Sequence, residues 1–289
     1  MRILLTGKNG QLGQCFGDVV GNGHELYSFG SSELDISNSD QVAEIVTRVN
    51  PDIIVNAAAY TAVDKAETDQ EKAFAVNERG VMNLAQQAAR LDIPVVHVST
   101  DYVFDGDAVV PYLPSDETNP QGVYGASKLA GEQALSTVSN KYIVLRTAWV
   151  FSEYGNNFVK TMVRLAKERD ALSVVADQYG CPTYAGDLAV AIKRLCDDYE
   201  QEKNLAWGVY HYCGDTVTSW HGFARTIFHM ALERGLIDAA PRLTAISSEQ
   251  YPTPAKRPEF SVMDVSNLAR LNLKASPWQS SLKKVLKKL

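Results

Sequence analysis

The stretch Arg2-Ile3-Leu4-Leu5-Thr6-Gly7-Lys8-Asn9-Gly10-Gln11-Leu12-Gly13 decides the fold of this 289-residue chain. Its apolar opening predicts a buried β-strand over Arg2–Thr6, and the pattern that follows predicts a helix over Gln11–Val20. Between them, glycines spaced G-x-x-G-x-x-G allow a tight turn, a close approach of the backbone to a pyrophosphate, and close packing of helix on strand. The stretch therefore predicts the first unit of a dinucleotide-binding sheet. A glycine-rich turn that only joins strand to helix is the alternative.

Strand and helix patterns alternate through the rest of the first half. Buried strands separated by helices are typical of a parallel sheet covered on both faces. The handedness of the crossovers favours a doubly wound, Rossmann-type α/β fold. The further strands are predicted over Glu25–Phe29, Asp52–Asn56, Pro94–Ser99 and Lys141–Arg146, and the further helices over Asp40–Val49 and Gln70–Leu91.

After Val150 the pattern becomes mixed, which indicates a smaller α/β substrate lobe interleaved with the sheet. We predict a dinucleotide-binding domain over 1–148, with returns at about 186–213 and 261–271, and a substrate-binding lobe over 149–185, 214–260 and 272–289. The elements predicted in this half are helices over Asn157–Arg169, Asp187–Tyr199 and Ser219–Arg234 and a strand over Ser173–Val175.

Composition excludes several classes of protein. The 28 Lys and Arg against 34 Asp and Glu leave a formal charge of −6 without a basic block, which argues against a nucleic-acid partner. No apolar run reaches the roughly 20 residues that a membrane helix needs, so no membrane partner is expected. The scattered cysteines Cys15, Cys181, Cys196 and Cys213 form no C-x-x-C pair. With a strand beginning beside Met1 and no leader to cleave, these features predict a cytoplasmic protein.

A candidate catalytic pair lies in Tyr124-Gly125-Ala126-Ser127-Lys128. A Tyr and a Lys four residues apart share one face of a helix. An ammonium beside a phenol favours the phenolate, so we expect Lys128 to lower the pKa of Tyr124 from its ordinary value of about 10. Tyr124 would then exchange a proton near neutral pH, while Lys128 holds a cofactor ribose. A surface pair without function is the alternative for this motif taken alone.

Polar residues also follow the ends of two predicted strands. In open α/β sheets, ligands bind outside the carboxyl ends of the strands. The hydroxyl of Ser99 or of Thr100 is therefore placed to hydrogen-bond the carbonyl that Tyr124 protonates, and spacing does not choose between the two. A cap of the next segment is the alternative. The small residues of Asn56-Ala57-Ala58-Ala59-Tyr60-Thr61 let the chain pass close beneath a cofactor.

The end of the second strand bears on the choice of cofactor. Enzymes that bind NAD usually carry an acidic residue about 20 positions after the glycines. Here Gly30-Ser31-Ser32 follows the strand, and Glu33 comes later. Small hydroxyl side chains leave room for a 2′-phosphate, which favours NADPH, with NADH as the alternative. Asp35 and Ile36 are expected to flank the adenine, although a capped helix start at Asp35 or Ser37 fits equally.

Together these motifs resemble the extended short-chain dehydrogenase/reductase family. The resemblance covers essentially the whole chain, and the blocks Ser99–Phe104 and Asp177–Thr183 are closest to one branch of the family. That branch reduces the 4-keto group of dTDP-4-dehydro-6-deoxy-L-mannose in the last step of dTDP-L-rhamnose synthesis. The matching blocks are Gly7–Gly13, Asn56–Asp64, Ser99–Phe104, Tyr124–Lys128, Arg146–Val150, Gly155–Phe158, Asp177–Thr183 and Pro254–Pro258.

The resemblance implies a role for each motif. Thr100 would orient the carbonyl, Tyr124 would donate the proton, and Lys128 would bind ribose and tune Tyr124. The substrate would contact Thr100, Asp101 and Trp149, and we add Asn157 and Arg257 as candidates. A core Trp, a helix cap at Asn157 and a solvated Arg are the alternatives. The residues expected to line the cofactor are Gly7, Gly10, Gln11, Leu12, Gly13, Asp35, Ile36, Ala59, Tyr60, Thr61, Val98, Tyr124 and Lys128.

The implied activity is reduction of a dTDP-linked keto sugar by hydride from NADPH or NADH. A reductase or epimerase of another nucleotide sugar and a non-catalytic, dinucleotide-binding regulatory subunit are the rival functions. Some family members carry magnesium at a dimer contact, which requires carboxylate ligands. Here the glycine-loop helix lacks a Glu at its start, and Asp197-Asp198 is expected to face water. We therefore predict no metal site, and leave a homodimer open.

Overall fold

A parallel sheet of six strands forms the centre of the computed structural model, which describes residues 1–289 apart from the side chain of Asn22. The strands are β1 (Arg2–Thr6), β2 (Glu25–Phe29), β3 (Ile53–Asn56), β4 (Val95–Thr100), β5 (Tyr142–Thr147), β6 (Val150–Phe151), β7 (Ala171–Val175), β8 (Tyr179–Gly180), β9 (Thr183–Tyr184), β10 (Gly208–His211), β11 (Thr218–Ser219) and β12 (Arg242–Ile246). The α-helices are α1 (Gln11–Val20), α2 (Ser39–Val49), α3 (Val63–Ala66), α4 (Gln70–Phe74), α5 (Gly80–Leu91), α6 (Val123–Val138), α7 (Phe158–Glu168), α8 (Ala185–Glu202), α9 (Trp220–Glu233) and α10 (Trp278–Leu286).

The strand order of the central sheet is β10-β5-β4-β3-β1-β2, and every neighbouring pair is parallel. The doubly wound α/β fold predicted from the sequence is confirmed. From β1 the chain moves one way to β2 and then the other way to β3, so the winding reverses between β1 and β3. A crevice forms at such a reversal, at the carboxyl ends of the strands. β10 lies within the predicted return over 186–213.

The two faces of the sheet are covered by different helices. Side chains alternate between the faces along a strand. Ile3 and Leu5 of β1 therefore pack into the cluster that includes α1 and α8, while Leu4 packs into the cluster of α2 and α5. All three side chains are fully buried. Burial on both faces explains why β1 reads as a continuous apolar run and not as an alternating one.

The helix predicted over Gln70–Leu91 contains an interruption. α4 and α5 are joined by a π-helical segment over Ala75–Arg79, in which each hydrogen bond spans one extra residue. Hydrophobic spacing does not reveal such an insertion. It places the fully buried side chain of Asn77 between helix α6 and the loop that follows β3.

The second half of the chain forms a smaller lobe of short paired strands and helices. Its core is built by α7, α9 and α10, with Phe223, Ile227 and Trp278 fully buried at the centre. β7 pairs with β12, β6 with β9 and β8 with β11. Leu268 and Leu271 pack into the core of the central sheet, inside the predicted return over 261–271. The domain boundaries themselves stay a prediction. Among the described helices, none combines the length and the apolar character that crossing a bilayer requires.

The glycine loop between β1 and α1 is packed backbone against backbone. Gly7 has φ +76°, and a Cβ on it would lie 2.6 Å from the backbone of Ala57. A Cβ on Gly13 would lie 2.2 Å from the carbonyl oxygen of Gly7. Non-bonded atoms do not approach so closely, so both positions require glycine.

Gly13→Ala is expected to lower the free energy of unfolding by about 1–3 kcal/mol, because the added methyl group overpacks a backbone that has nowhere to move. The matched control is Gly17→Ala in the same helix, where an added Cβ meets no atom within 4 Å. That variant is expected to gain about 0.5–1 kcal/mol from the lower entropy of its unfolded chain. Chemical denaturation of both variants measures the difference, and equal effects would contradict the packing argument.

Candidate active site

A cleft of about 820 Å³ opens at the carboxyl ends of the strands, at the reversal between β1 and β3. It brings together segments that lie far apart in the sequence, because parallel strands all end at the same edge of the sheet. Gly13 lies beneath the wall of the cleft, packed against Gly7. The predicted residues in the wall are Gly7, Gly10, Gln11, Leu12, Asp35, Ile36, Ala59, Tyr60, Thr61, Val98, Thr100, Asp101, Tyr124, Lys128 and Trp149.

The start of α1 has the features of a pyrophosphate site. Gly10 occupies the N-cap position, and no side chain caps the helix there. The first amides of a helix have no partner within the helix, and its dipole favours an anion at this end. Gly7 and Gly10 line the cleft without side chains and form a cradle in which a ligand can approach the backbone closely. These residues therefore fit the phosphates of a dinucleotide.

At the neighbouring end of the cleft, Glu33 is already bound. Its carboxylate accepts hydrogen bonds from Lys8 Nζ at 2.6 Å and from the amide of Gly30 at 2.8 Å. The hydrogen bond from Lys8 lowers the pKa of Glu33. The charge of this carboxylate is therefore already compensated by a cation of the chain, and the carboxylate is held against the backbone of Gly30. Ser31, the small residue beside it, lines the cleft.

Asp35 and Ile36 lie in the cleft wall with local roles of their own. Asp35 Oδ1 accepts hydrogen bonds from the amide and the hydroxyl of Ser37 at 3.0 and 2.7 Å, which closes a turn. Helix α2 is capped by Asn38 instead of by Asp35 or Ser37. Ile36 is nearly fully buried and packs against Gly80 at the start of α5. Asp35 thus remains exposed at the edge of the cleft.

Thr100 and Asp101 form a buried hydroxyl–carboxylate pair at the end of β4. Thr100 Oγ1 donates to Asp101 Oδ1 at 2.9 Å and accepts from the amide of Tyr102 at 3.3 Å. Burial raises the pKa of Asp101 to about 6. Its Oδ2 is buried and has no hydrogen-bond partner among the described residues. The pair therefore offers an orientable hydroxyl and an unused acceptor to a ligand.

A buried ion pair bears on the alternative between Ser99 and Thr100. Ser99 Oγ donates to Glu132 Oε1 at 2.5 Å, and Glu132 also accepts from Arg146 Nη2 at 2.7 Å. Glu132 and Arg146 are each about 95 % buried. The Ser99 hydroxyl is thus committed to the contact between β4 and α6. Thr100, on the other side of the strand, lies with Tyr124 in the wall of the cleft.

Tyr124 lies in the first turn of α6, and its pKa differs from the sequence prediction. Burial raises the pKa of Tyr124 well above its ordinary value of 10.0, and the nearby hydroxyl of Thr100 only partly opposes the rise. Asp101 adds to the rise because two negative charges repel. The expectation that Lys128 lowers this pKa is wrong for the protein alone, since burial dominates and Lys128 Nζ is hydrogen-bonded to the carbonyl of Val98. Tyr124 is therefore a neutral phenol at neutral pH, which is the form that donates a proton.

Lys128 is nearly fully buried one turn along α6. Its Nζ donates to the carbonyl of Val98 at 2.7 Å and lies 3.3 Å from His97 Nε2. Burial lowers the pKa of Lys128 to about 8, and the charge of Glu132 acts in the opposite direction. This pKa lies well below the ordinary value of about 10.4 for a lysine, so the neutral amine becomes accessible near neutral pH.

The loop after β3 is fixed by the π-helical segment. Asn77 Oδ1 accepts from the amide of Tyr60 at 2.9 Å, and its Nδ2 donates to the carbonyl of Tyr60 and to Ser127 Oγ, both at 3.0 Å. One side chain thus joins the cleft loop to α6. At the start of α6, Glu67 Oε1 accepts from the amide of Val123 at 2.9 Å and caps the helix.

Trp149 lies in the cleft wall with an unusual backbone conformation. It has φ +50°, which costs energy for a residue other than glycine. Its ring stacks on Trp220 with centroids 3.6 Å apart and planes 10° apart. A Cβ on Gly180 would lie 2.7 Å from the ring. The ring is therefore packed against residues of the smaller lobe, while the backbone of Trp149 lies at the end of the central sheet. Trp149 is thus partly a packed residue and partly a residue of the cleft wall.

Two predicted substrate residues have other partners. Asn157 caps α7 by accepting from the amide of Lys160 at 3.2 Å, and donates to Gln11 Oε1 at 2.9 Å. Arg257 donates to Asp64 Oδ2 at 2.8 Å and to the hydroxyl of Tyr102 at 3.0 Å. The helix cap is the alternative already considered for Asn157. Neither residue lines the cleft, because each side chain is held by protein groups at its edge.

The structure brings no set of metal ligands together. Among the described residues, no three His, Cys, Asp or Glu side chains are grouped to hold an ion. Asp197 is paired with Lys193 and His24, and Asp198 with Arg194. Both carboxylates are therefore paired with basic groups of the chain. The sequence had predicted that they would simply face water.

Several polar residues around the site are not predicted from the motifs. They share a signal: each is a polar side chain within a buried segment, where it needs a partner. Their identity alone does not tell which partner they find. These residues are Asn77, His97, Glu132 and Arg146.

Comparison with known proteins places the whole chain in one family of sequences. The family model described as RmlD substrate binding domain matches residues 1–289. The dTDP-4-dehydrorhamnose reductase of Aggregatibacter actinomycetemcomitans is 45% identical over 287 residues, 98% of each chain. A crystal structure of the Clostridium acetobutylicum dTDP-4-dehydrorhamnose reductase superposes with a TM-score of 0.92 at 38% identity and covers 99% of both chains. The Bacillus anthracis enzyme, solved in complex with NADP, superposes with a TM-score of 0.92 at 37% identity, over 100% of this chain and 99% of the other.

Asp101→Asn is expected to raise the free energy of unfolding by up to about 3 kcal/mol at pH 8, because it removes a charge whose burial raises its pKa by about two units. The sign follows from the raised pKa of the folded state: native Asp101 destabilises the fold fully above pH 6. The gain should shrink as the pH falls from 6 towards 4, and it should vanish below about pH 3, where Asp101 is protonated in both states. Urea denaturation at pH 8, 6 and 4 measures it.

The matched control is Asp105→Asn. A hydrogen bond from Tyr112 lowers the pKa of the Asp105 carboxyl, so its charge stabilises the fold. That variant is expected to lose stability at pH 8. A loss of stability for Asp101→Asn at pH 8 would contradict the account of Asp101.

Proposed function

We propose, from the fact that this chain belongs to the family described as RmlD substrate binding domain, that it is an NADPH-dependent dTDP-4-dehydrorhamnose reductase. It reduces the 4-keto group of dTDP-4-dehydrorhamnose and yields dTDP-L-rhamnose. The observation that carries this proposal is the meeting of Tyr124, Thr100 and Lys128 in one cleft beside the cradle of Gly7 and Gly10.

Tyr124 and Thr100 supply what the carbonyl oxygen needs. As the ketone is reduced, negative charge grows on its oxygen, and donors that face this position lower the barrier. Tyr124 is a neutral phenol in a buried site, so it transfers its proton to the oxygen. Thr100 donates a hydrogen bond to the same oxygen when its hydroxyl turns away from Asp101. Asp101, with its unused Oδ2, accepts a hydroxyl hydrogen of the sugar.

Other residues of the cleft fit the dinucleotide. The amides at the start of α1 would bind the pyrophosphate, and Lys128 would bind the ribose hydroxyls. When bound, the nicotinamide cofactor supplies the hydride. Ser31, which lines the cleft, would face the adenosine ribose, where the charge of Glu33 is already compensated by Lys8. This arrangement supports NADPH over NADH.

Two features favour the reductase over its rivals. A non-catalytic, dinucleotide-binding subunit has no need of Thr100, Tyr124 and Lys128 in one buried cluster, yet all three are present. A reductase or epimerase of another nucleotide sugar would share the cluster, but the relatives that match almost the full length of the chain carry the name of one reaction.

We also propose a setting for this activity. The four cysteines are buried, free thiols, which supports a reducing compartment such as the cytoplasm. The homodimer stays a prediction, which light scattering of the purified protein tests.

The substrate is tested by steady-state kinetics. The protein with NADPH and dTDP-4-dehydrorhamnose is expected to consume NADPH in proportion to the dTDP-L-rhamnose formed. A GDP-linked keto sugar is the control, and it should react at least about 100-fold more slowly, since guanine presents different hydrogen-bonding groups from thymine and leaves groups of the site unpaired. Equal or faster reduction of a control sugar would overturn the substrate assignment.

Tyr124→Phe tests the proton donor. It is expected to bind NADPH normally and to lose about 10²- to 10⁴-fold in kcat, because only the proton is missing. Thr100→Val should lose about 10²- to 10³-fold, as expected when one donor to a developing oxyanion is removed. Fluorescence titration and steady-state assays measure the two properties separately.

Ser99→Ala is the matched control for Thr100→Val. It removes the neighbouring hydroxyl, which donates a hydrogen bond to Glu132 and is not expected to face the ketone. Its effect should fall on the free energy of unfolding, a loss of about 1–3 kcal/mol, with kcat close to native. A loss of kcat in Ser99→Ala that matched Thr100→Val would reverse the two roles.

A further inference from the structure

A chain of buried hydrogen bonds runs from the first strand of the sheet to Lys128. Thr6 Oγ1 donates to Asn56 Oδ1 at 2.6 Å, Asn56 Nδ2 lies 3.0 Å from His97 Nδ1, and His97 Nε2 lies 3.3 Å from Lys128 Nζ. All four side chains are at least 98 % buried. This series of hydrogen bonds lies behind the cleft, so it is connected to the cleft only through Lys128.

The backbone fixes the direction of the first link. The amide of Ala58 donates to Asn56 Oδ1 at 3.1 Å. A backbone N–H is only a donor, so the oxygen of Asn56 must face it. The Nδ2 group of Asn56 therefore faces His97, and His97 Nδ1 must be the acceptor of that hydrogen bond.

The tautomer of His97 follows from this direction. Burial and the nearby charge of Lys128 lower the pKa of His97, so the ring is neutral. A neutral imidazole carries one N–H, and since Nδ1 accepts, the hydrogen lies on Nε2. The Nε2–H group therefore points at Lys128 Nζ.

This contact favours one charge state of Lys128. An ammonium group has donors only, so it forms no hydrogen bond with an N–H group that points at it. A neutral amine has a lone pair, which accepts from His97 Nε2–H while an amine hydrogen still donates to the carbonyl of Val98. Lys128 as an ammonium group must turn away from His97, and the open side is the cleft.

The other groups around Lys128 do not cancel the preference of this contact for the neutral amine. Glu132, one turn along α6, favours the ammonium form, but its carboxylate is already bound to Arg146 and Ser99. On the cleft side lie the neutral phenol of Tyr124 and, against it, the carboxyl of Asp101. His97 is the titratable group in direct contact with Lys128 Nζ.

We propose that His97 is a positioning residue that controls the charge of Lys128. With its Nε2–H group directed by Asn56, His97 holds the neutral amine against the sheet, and protonation releases Lys128 towards the cleft. The inference rests on the proposed function, in which the ammonium form of Lys128 binds ribose beside Tyr124. It goes beyond that function because it makes the charge of Lys128 depend on a residue that touches neither substrate nor cofactor.

The first test observes the protein alone. Two-bond proton–nitrogen NMR spectra of ¹⁵N-histidine-labelled protein distinguish the two tautomers, and the His97 signal is assigned by its loss in His97→Gln. We expect the Nε2–H form for His97 at pH 7. An Nδ1–H form would overturn the proposal, and this measurement needs no folded variant beyond the one used for assignment.

The second test measures the pKa of Lys128 through its ¹³Cε signal, assigned by its loss in Lys128→Met. We expect a pKa near 8 in the native protein. His97→Gln should raise it by about one unit or more, because the Gln oxygen can accept from the ammonium group. The control Val96→Ala removes a fully buried side chain from the same strand, so it should lower stability without moving the pKa.

The alkaline limb of the pH profile of kcat/KM gives a third readout. It should move upward with the pKa of Lys128 in His97→Gln and stay in place in Val96→Ala. A merely structural role of His97 predicts a lower rate at every pH with an unmoved limb, and an unchanged pKa of Lys128 in His97→Gln would overturn the proposal. The NMR measurements use neither cofactor nor sugar. A negative NMR result would therefore overturn the role of His97 without affecting the proposed reductase activity. An absence of reductase activity would, in turn, leave the NMR result unchanged.

Discussion

The buried ion pair between Glu132 and Arg146 is the interaction on which the site depends. Removing two charges from water is costly, so the pair contributes orientation more than net stability. It joins α6 to β5, and Ser99 extends it to β4. Since Tyr124 and Lys128 both lie on α6, the rotation and height of this helix decide whether their side chains reach the cleft. Two close backbone contacts reinforce the placement, because a Cβ on Gly125 or Gly131 would lie 2.1 or 2.0 Å from a carbonyl oxygen of a neighbouring segment.

Around this anchored helix the protein keeps several unfavourable features where the chemistry takes place. Asp101 holds a buried carboxyl with an unpartnered oxygen, Trp149 has a left-handed backbone, and the segment around Asn77 is π-helical. Strained or poorly solvated groups of this kind persist only when the surrounding structure holds them in place. Here the holding elements are the stacked Trp220, the capped start of α6 and the hydrogen bonds of Asn77. Pre-organisation of the site is thus achieved at the expense of stability.

Local order was predictable where neighbours in the sequence are also neighbours in space. β1, α1 and β2 begin and end at the predicted residues, because apolar runs and glycine spacing are local signals. α2 begins one residue early because Asn38 caps it, and the long helix before β4 contains a π segment that spacing does not reveal. Strand alternation predicts that Ser99 and Thr100 point to opposite sides. Which side faces a carboxylate and which faces the cleft depends on where α6 packs.

The sequence by itself therefore determined the winding of the sheet, the glycine cradle and the presence of a phenol, an amine and a hydroxyl group at strand and helix ends, since these follow from periodicity and from the conformational freedom of glycine. Only the tertiary structure decided the electrostatics. The pKa of Tyr124 is raised instead of lowered because burial outweighs a lysine that is hydrogen-bonded to Val98. Arg257 and Asn157 likewise bind groups far away in the sequence, Asp64 and Gln11. Burial and long-range partners are properties of the packed chain, and no local pattern encodes which distant group will fill a given hydrogen bond.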